Sequence, residues 1–170
     1  MPKWKKGISR IRAERVRNQM IRIDKKDYFQ ILDWAKKNFP EEACGLIGGI
    51  VENDDYIVKK VYLIENTDHS SEHFAMRPND QLEAIKDMRK NNYILIGNFH
   101  SHPFTKSRMS EEDKRLAFDN KIKYLILSLE DYDNPVLNAF IVNNHQVIRN
   151  EIIKIERSLI WQMTIQLKSM

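Results

Sequence analysis

Residues 93–113 read YILIGNFHSHPFTKSRMSEED. The apolar run from Tyr93 to Ile96 is the pattern of a buried strand, and it runs out at two histidines, His100 and His102. In extended backbone, residues i and i+2 point to the same side, so both imidazoles can converge on one ion from one strand end. Two nitrogen donors on one face suit zinc, whose catalytic sites take three protein ligands and keep the fourth position open. Further on, Ser110 followed by Glu111, Glu112 and Asp113 has the form of a helix start. A serine there caps free amides, and carboxylates in the first turn complement the dipole. Asp113, three residues past the cap, can reach back toward the strand end as a third ligand, or it can serve the dipole alone.

Working outward, DKKDYFQILDWAKKNF places Tyr28, Ile31, Leu32, Trp34 and Ala35 near helical spacing behind Asp24 as N-cap, with Pro40 as the stop. EEACGLIGGIV reads as a buried strand whose glycines permit close backbone approach, and DYIVKKVYLIENT as its hairpin partner across an ENDD turn. RPNDQLEAIKDMRKNN opens with Pro78 and carries Leu82, Ile85 and Met88 at three-residue steps, which predicts a second helix. IKYLILSL, PVLNAFIV and QVIRNEIIKI are further strands, whereas ERSLIWQMTIQLKSM is open between helix and strand. The expected architecture is mixed α/β: a single central mixed sheet flanked by about three helices.

With 170 residues the chain has the size of one ordinary domain. Its 42% apolar and 31% charged residues are those of a folded globular protein, and no apolar stretch reaches the roughly 18 residues of a membrane span. The absence of an apolar h-region near Met1 sets the expectation of a cytoplasmic protein. Cys44 is the single cysteine, which excludes an internal disulfide and a Cys-rich zinc knuckle. The net charge of +4 is unevenly spread. Residues 1–22 hold eight basic side chains against Glu14, a local +7, and leave the remainder at −3. Residues 1–20 therefore form a basic arm able to make weak, salt-dependent contact with nucleic acid, or to dock as a helix through Trp4, Ile8 and Ile11.

A carboxylate base would have to come from elsewhere, and the strand start at Glu41 and Glu42 offers two. Taken together, Pro-x-Glu-x-Cys-Gly at residues 40–45 and His-x-His-Pro followed by Ser110 and Asp113 resemble the JAMM (MPN+) metalloprotease family in its compact prokaryotic form. The resemblance runs over residues 21–156, with 157–170 as a tail packing on or extending that domain. It implies the JAMM/MPN, cytidine-deaminase-like fold and one catalytic zinc ion. It implies His100, His102 and Asp113 as ligands, Glu42 as general acid/base with Glu41 in a variable slot, and Ser110 stabilising the tetrahedral intermediate. It further implies (iso)peptidase action after the C-terminal tail of a ubiquitin-like or β-grasp protein.

An extended tail of that kind is expected along an exposed strand edge beside the metal. Ser101, between the ligands, is expected to point away from them, and Pro103 to fix the turn that follows. Cys44 is expected to be a packed side chain rather than a nucleophile. His69, His73 and His145 are left without a role, although His73 sits in a segment that could flank the cleft. The chain departs from prokaryotic relatives in FTKSRMS, with Ser107 and Met109, and in Arg77 before Pro78, which bears on substrate preference rather than metal binding. Two other readings stand beside the hydrolase: a non-catalytic MPN scaffold, and a nucleic-acid-associated, RadC-like protein using the basic arm. A zinc nucleobase deaminase is excluded because its Cys-x-x-Cys pair is missing. Oligomeric state is open, with a homodimer one option.

Overall fold

The computed structural model describes residues 19–157. Residues 1–18 of the basic arm and 158–170 of the tail, including WQMTIQLKSM, lie outside the described residues. The elements in order are β1 (Met20–Asp24), α1 (Lys25–Asn38), β2 (Cys44–Glu52), β3 (Asp55–Ile64), α2 (Pro78–Lys90), β4 (Ile94–His102), α3 (Glu111–Leu116), β5 (Lys123–Ser128), β6 (Val136–Asn143) and β7 (Gln146–Glu156). Asp24 caps α1 by accepting the Lys26 N–H at 2.7 Å, and Pro78 sits in the first turn of α2, where its missing N–H is not needed. None of the described helices is long and apolar enough to cross a membrane.

One mixed sheet carries all the described strands, in the order β1-β3-β2-β4-β5-β6-β7, and curls until β1 pairs in parallel with β7 to close a barrel. The β2–β3 hairpin turns at Asn53 and Asp54, both at positive φ (51° and 71°), the conformation a tight two-residue hairpin requires. β1 is an addition to the sequence reading. It is five residues long, but its Ile21 and Ile23 are fully buried. It pairs with a strand far along the chain, from Met20↔Ile152 to Asp24↔Glu156. Arg22 and Glu156 close the same seam with an ion pair of 2.8 Å.

The main core joins Ile21, Ile23, Ile47, Ile96, Phe99, Leu125, Leu127 and Ala139 from the strands to Ile31, Leu32 and Ala35 of α1. Ile96 and Phe99 share that core despite their odd spacing because the β2–β4 register shifts between Ile47 and Gly48, a bulge that brings Ile96 round. A second cluster, Met109, Ala117, Tyr124, Ile126, Phe140 and Val142, lies under the segment that carries α3. Phe99 ties the end of β4 to the first cluster, and Met109 and Ala117, on either side of α3, belong to the second.

Candidate metal centre

β4 extends through both histidines rather than stopping before them. Its alternation sends Phe99 into the core and turns His100 and His102 to the other face. Both imidazoles are buried, at 3% and 5% exposure. Their Nε2 atoms lie 3.0 Å apart. The carboxylate of Asp113 straddles the pair, with Oδ1 3.2 Å from His100 Nε2 and Oδ2 3.3 Å from His102 Nε2. One carboxylate oxygen of Glu42 and one nitrogen of each histidine all lie within 4.8 Å of one another. The structure therefore gathers Glu42, His100, His102 and Asp113 at one point.

Each of these side chains is held from outside the centre. Asp113 is the third residue of α3, and Ser110 and Asp113 form a reciprocal capping box. The Asp113 N–H donates to Ser110 Oγ at 3.0 Å, and the Ser110 N–H donates to Asp113 Oδ2 at 2.8 Å. Ser110 is thus a helix cap. A hydroxyl carries one proton and two lone pairs, so accepting from Asp113 leaves its own O–H able to donate. His102 Nδ1 faces the Lys106 carbonyl at 3.0 Å and Thr105 Oγ1 at 3.1 Å, which places its proton on Nδ1 and its lone pair on Nε2. The loop behind it is pinned by Ser128 Oγ donating to the Thr105 carbonyl and Ser107 Oγ donating to the Ile126 carbonyl. Met109 anchors the same loop in the second apolar cluster.

Glu42 precedes β2 and is 4% exposed, whereas Glu41 turns outward to His69, 3.2 Å from its Nδ1. The Glu42 backbone is clamped on both sides: its N–H donates to the Ser70 carbonyl at 2.7 Å and its carbonyl accepts from Asn66 Nδ2 at 3.0 Å. The carboxylate atom Oε2 has no protein partner among the described residues. Burial pushes the Glu42 carboxyl up to about 8, with Asp113 reinforcing and His102 opposing the shift. Burial also acts against Asp113, but its closeness to both imidazoles and to the Ser110 N–H holds its carboxyl well below the ordinary range. His100 is driven down by burial despite Asp113. For His102 the burial penalty is outweighed by Asp113 and the Lys106 carbonyl, and its pKa rises.

These facts test whether a metal fits. Tetrahedral zinc with bonds of about 2.0–2.2 Å to nitrogen and oxygen has ligand-to-ligand edges of about 3.3 Å. The two histidine nitrogens are 3.0 Å apart, and each lies at a similar distance from one oxygen of Asp113, His100 at 3.2 Å from Oδ1 and His102 at 3.3 Å from Oδ2. With the His102 proton committed to Lys106, its Nε2 lone pair faces another nitrogen and a carboxylate at contact distance. Only a cation, whether a proton or a metal ion, relieves that crowding of lone pairs. The donor set fits zinc, and Glu42 stands beside it as a carboxylate with an unpartnered oxygen.

Among the other expected positions, Ser101 Oγ accepts the Ala43 N–H at 2.8 Å and ties the Glu42 strand start to the histidine strand. Cys44 is buried, donates weakly to the Ile64 carbonyl, and burial pushes its thiol up to about 12, so it carries no thiolate. Arg77 forms an ion pair with Glu65. His73 meets Ser70 Oγ, and His145 faces the Lys114 carbonyl. Two contributors escaped the sequence reading. Phe74 stacks on His100 with centroids 4.7 Å apart. Asn66 is knotted to the backbone of Glu42, His73, Asp68 and Ala75. The SSEHFAMRP stretch next to His73 was the available signal for Phe74; nothing local marks Asn66.

β4 offers no free edge at His100 among the described residues, whereas β3, two strands away, is paired with β1 only at Tyr56 and Ile57 and leaves the rest of that side open. His100 is paired on both sides, with Cys44 and with Ile126, and His102 on one, with Ser128. The strand that carries the histidines lies inside the sheet, between β2 and β5.

A family model described as prokaryotic homologs of the JAB domain matches residues 24–141, and the chain belongs to that family. The mixed barrel is the fold of a JAMM-type protein, and within it Glu42, His100 and His102 are placed so that they could hold a metal ion. The chain is similar to the CysO-cysteine peptidase of Mycobacterium tuberculosis (strain ATCC 25618 / H37Rv), 23% identical over 123 residues that cover 72% of this chain and 83% of the relative. The same-named protein of Mycobacterium bovis matches to the same extent. Among solved structures, a Desulfitobacterium hafniense protein is 47% identical, with a TM-score of 0.75 over 82% of this chain and 95% of its own. A Salinibacter ruber protein, 23% identical, shares the fold at a TM-score of 0.58 over 81% and 92% of the two chains.

Proposed function

We propose that this protein is a zinc-dependent peptidase that hydrolyses the amide or isopeptide bond after the C-terminal tail of a small ubiquitin-like or β-grasp protein. The observation that carries the reading is the convergence of His100, His102 and Asp113 at zinc-like spacing beside the buried, unpartnered oxygen of Glu42. The family and the peptidase relative support the reaction class. That relative's name, CysO-cysteine peptidase, supports a sulfur-carrier type of substrate from which one residue is released. The single buried thiol, Cys44, suits the reducing cytoplasm.

His100, His102 and Asp113 would hold the ion. When bound, zinc polarises a scissile carbonyl and lowers the pKa of water toward neutrality. Glu42 takes a proton from water at its carboxylate and passes it to the departing nitrogen, a role typically worth about 10² to 10⁴ in rate. Its pKa of about 8 in the metal-free protein shows how strongly the site resists an unpaired charge there, which a neighbouring cation reverses. Ser110 donates its free O–H to the oxygen on which negative charge develops. Phe74, laid over His100, keeps bulk water from that side of the centre. With His100 paired on both sides, an extended tail lies across the strand ends, between segment 66–77 and loop 103–110.

The test is metal analysis of the purified protein together with cleavage of a panel of β-grasp fusions, read by mass spectrometry. About one zinc per chain and cleavage after the carrier tail are expected in the wild type, with His102→Ala losing both and Glu42→Gln keeping only the metal. Equal cleavage by Glu42→Gln, or a wild type without zinc, would defeat the proposal.

A further inference from the structure

Asn98 takes no part in the chemistry above, yet it lies two residues before His100 on the same strand. A pocket of about 60 Å³ beside the metal centre is lined by both residues, with Phe74 and Met109 as apolar walls. The Tyr124 hydroxyl at its margin is already engaged, donating to the Asp119 carbonyl at 2.9 Å. Two buried polar atoms on the lining side chains have no protein partner among the described residues: Asn98 Oδ1 and His100 Nδ1.

Those two atoms are complementary. His100 turns Nε2 to the centre, 3.0 Å from His102 Nε2 and 3.2 Å from Asp113. In the tautomer that offers a lone pair there, the ring proton sits on Nδ1, a donor without an acceptor. Asn98 Oδ1 is an acceptor without a donor. Neither atom bonds the other directly, and two hydrogen bonds of about 2.8 Å through one intervening water satisfy both. The pocket is roomy enough, since a water needs roughly 10–15 Å³ of such space and at least two polar partners.

We infer that Asn98 is a positioning residue for the metal: through one buried water it accepts the Nδ1 proton of His100 and locks the tautomer whose Nε2 faces the ion. The two histidines are then fixed by different devices. His102 is held directly by the Lys106 carbonyl on a loop, and His100 by a side chain of its own strand. The inference rests on the zinc reading of the centre.

The experiment uses the full chain, stripped of metal, with zinc alone as the probe in competition against a chromophoric chelator. Asn98→Leu removes the acceptor and is expected to weaken zinc binding about ten- to hundredfold, the usual effect of losing a partner behind a ligand. Asn98→Asp restores an acceptor and should bind within about threefold of wild type or tighter. Imidazole ¹⁵N–¹H spectra of the zinc-loaded wild type should show His100 protonated at Nδ1, with a slowly exchanging proton that becomes fast in Asn98→Leu. Wild-type affinity with the slow proton retained in Asn98→Leu would overturn the inference. Should that variant not fold, the wild-type spectrum decides, and a rapidly exchanging Nδ1 proton or protonation at Nε2 counts against it. A wild type that takes up no zinc removes the zinc reading itself, whereas a zinc-binding wild type matched by Asn98→Leu removes only the role of Asn98.

Discussion

Glu42→Gln in the metal-free protein changes stability in a way that depends on pH, and the dependence follows from burial. The folded carboxyl sits at about 8 against 4.5 when solvated. Between those two values the unfolded chain has released its proton while the folded chain keeps it, so each rise in pH favours unfolding, by about 1.4 kcal/mol per pH unit. Integrated from pH 5 to pH 8, the wild type loses about 3–4 kcal/mol through this one group. Glu42 is 4% exposed, so solvent screening offers little relief. Glutamine cannot ionise and escapes the loss. Near pH 5 the two proteins should agree within about 1 kcal/mol, and at pH 8 the variant should be the more stable by about 3 kcal/mol, a large share of a domain's typical 5–15 kcal/mol.

The measurement is urea unfolding in the presence of a chelator at pH 5, 6, 7 and 8, with midpoints compared at a common m-value. The histidines contribute in opposite directions. The raised pKa of His102 gives stability that is lost as pH rises through it, and the lowered pKa of His100 gives stability that is lost as pH falls. Both act in wild type and variant alike, so most of their effect cancels in the difference. Adding zinc should shrink the gap at pH 8, because a cation beside Glu42 favours its charged form. Parallel stability curves for the two proteins would refute the reasoning, since they would mean that Glu42 is solvated and ionised and does not face a closed site.

Two further predictions concern the scaffold. Ser110→Ala should cost about 1 kcal/mol of stability through the lost cap, and should lower kcat by about 10² to 10³ if its O–H serves the reaction. Ser110→Thr, which keeps both functions, should remain near wild type in steady-state kinetics and melting, and a kcat unchanged in the alanine variant would assign the serine to capping alone. Gly97→Ala would place a Cβ 2.0 Å from the Lys123 carbonyl oxygen, forcing β4 away from β5. A loss of about 3 kcal/mol or more is expected, seen as a drop in Tm of about 6–12 °C in calorimetry.

The elements that could be read locally were those whose burial pattern is local. Asp24, Pro78 and Ser110 mark helix starts because each satisfies or avoids an orphan amide within a few residues. β1 was not legible, because Ile21 and Ile23 are two apolar positions whose meaning comes from a pairing partner at Ile153 and Ile155. Barrel closure depends on that same pairing. The acidic and histidine positions stood out by residue type, but which of Glu41 and Glu42 faces the centre is a matter of strand phase. Asn66 and Asn98 carry no chemical signature in the sequence; their surroundings become visible only once segments distant in the chain are brought together.

Strand phase is set by the β2–β4 register, and that register explains why the Cys-Gly pair follows the glutamate. Cys44 lies opposite His100 and Gly45 opposite Phe99. Counting back one residue, the Ser101 N–H donates to the Ala43 carbonyl at 2.9 Å, and the Ala43 N–H reaches Ser101 Oγ. One residue further back brings Glu42 level with His102. A slip of one residue would put Glu41 there and reverse the faces of the whole strand. The slip is resisted at Gly45, where an added Cβ would lie 2.2 Å from the Tyr62 carbonyl oxygen and 2.3 Å from the Phe99 ring. Only a residue without a side chain can sit opposite that phenylalanine, so a slipped register would drive Cys44 or Leu46 into it. The packing of one buried ring against one glycine therefore holds the Glu42 carboxylate level with the His102 imidazole.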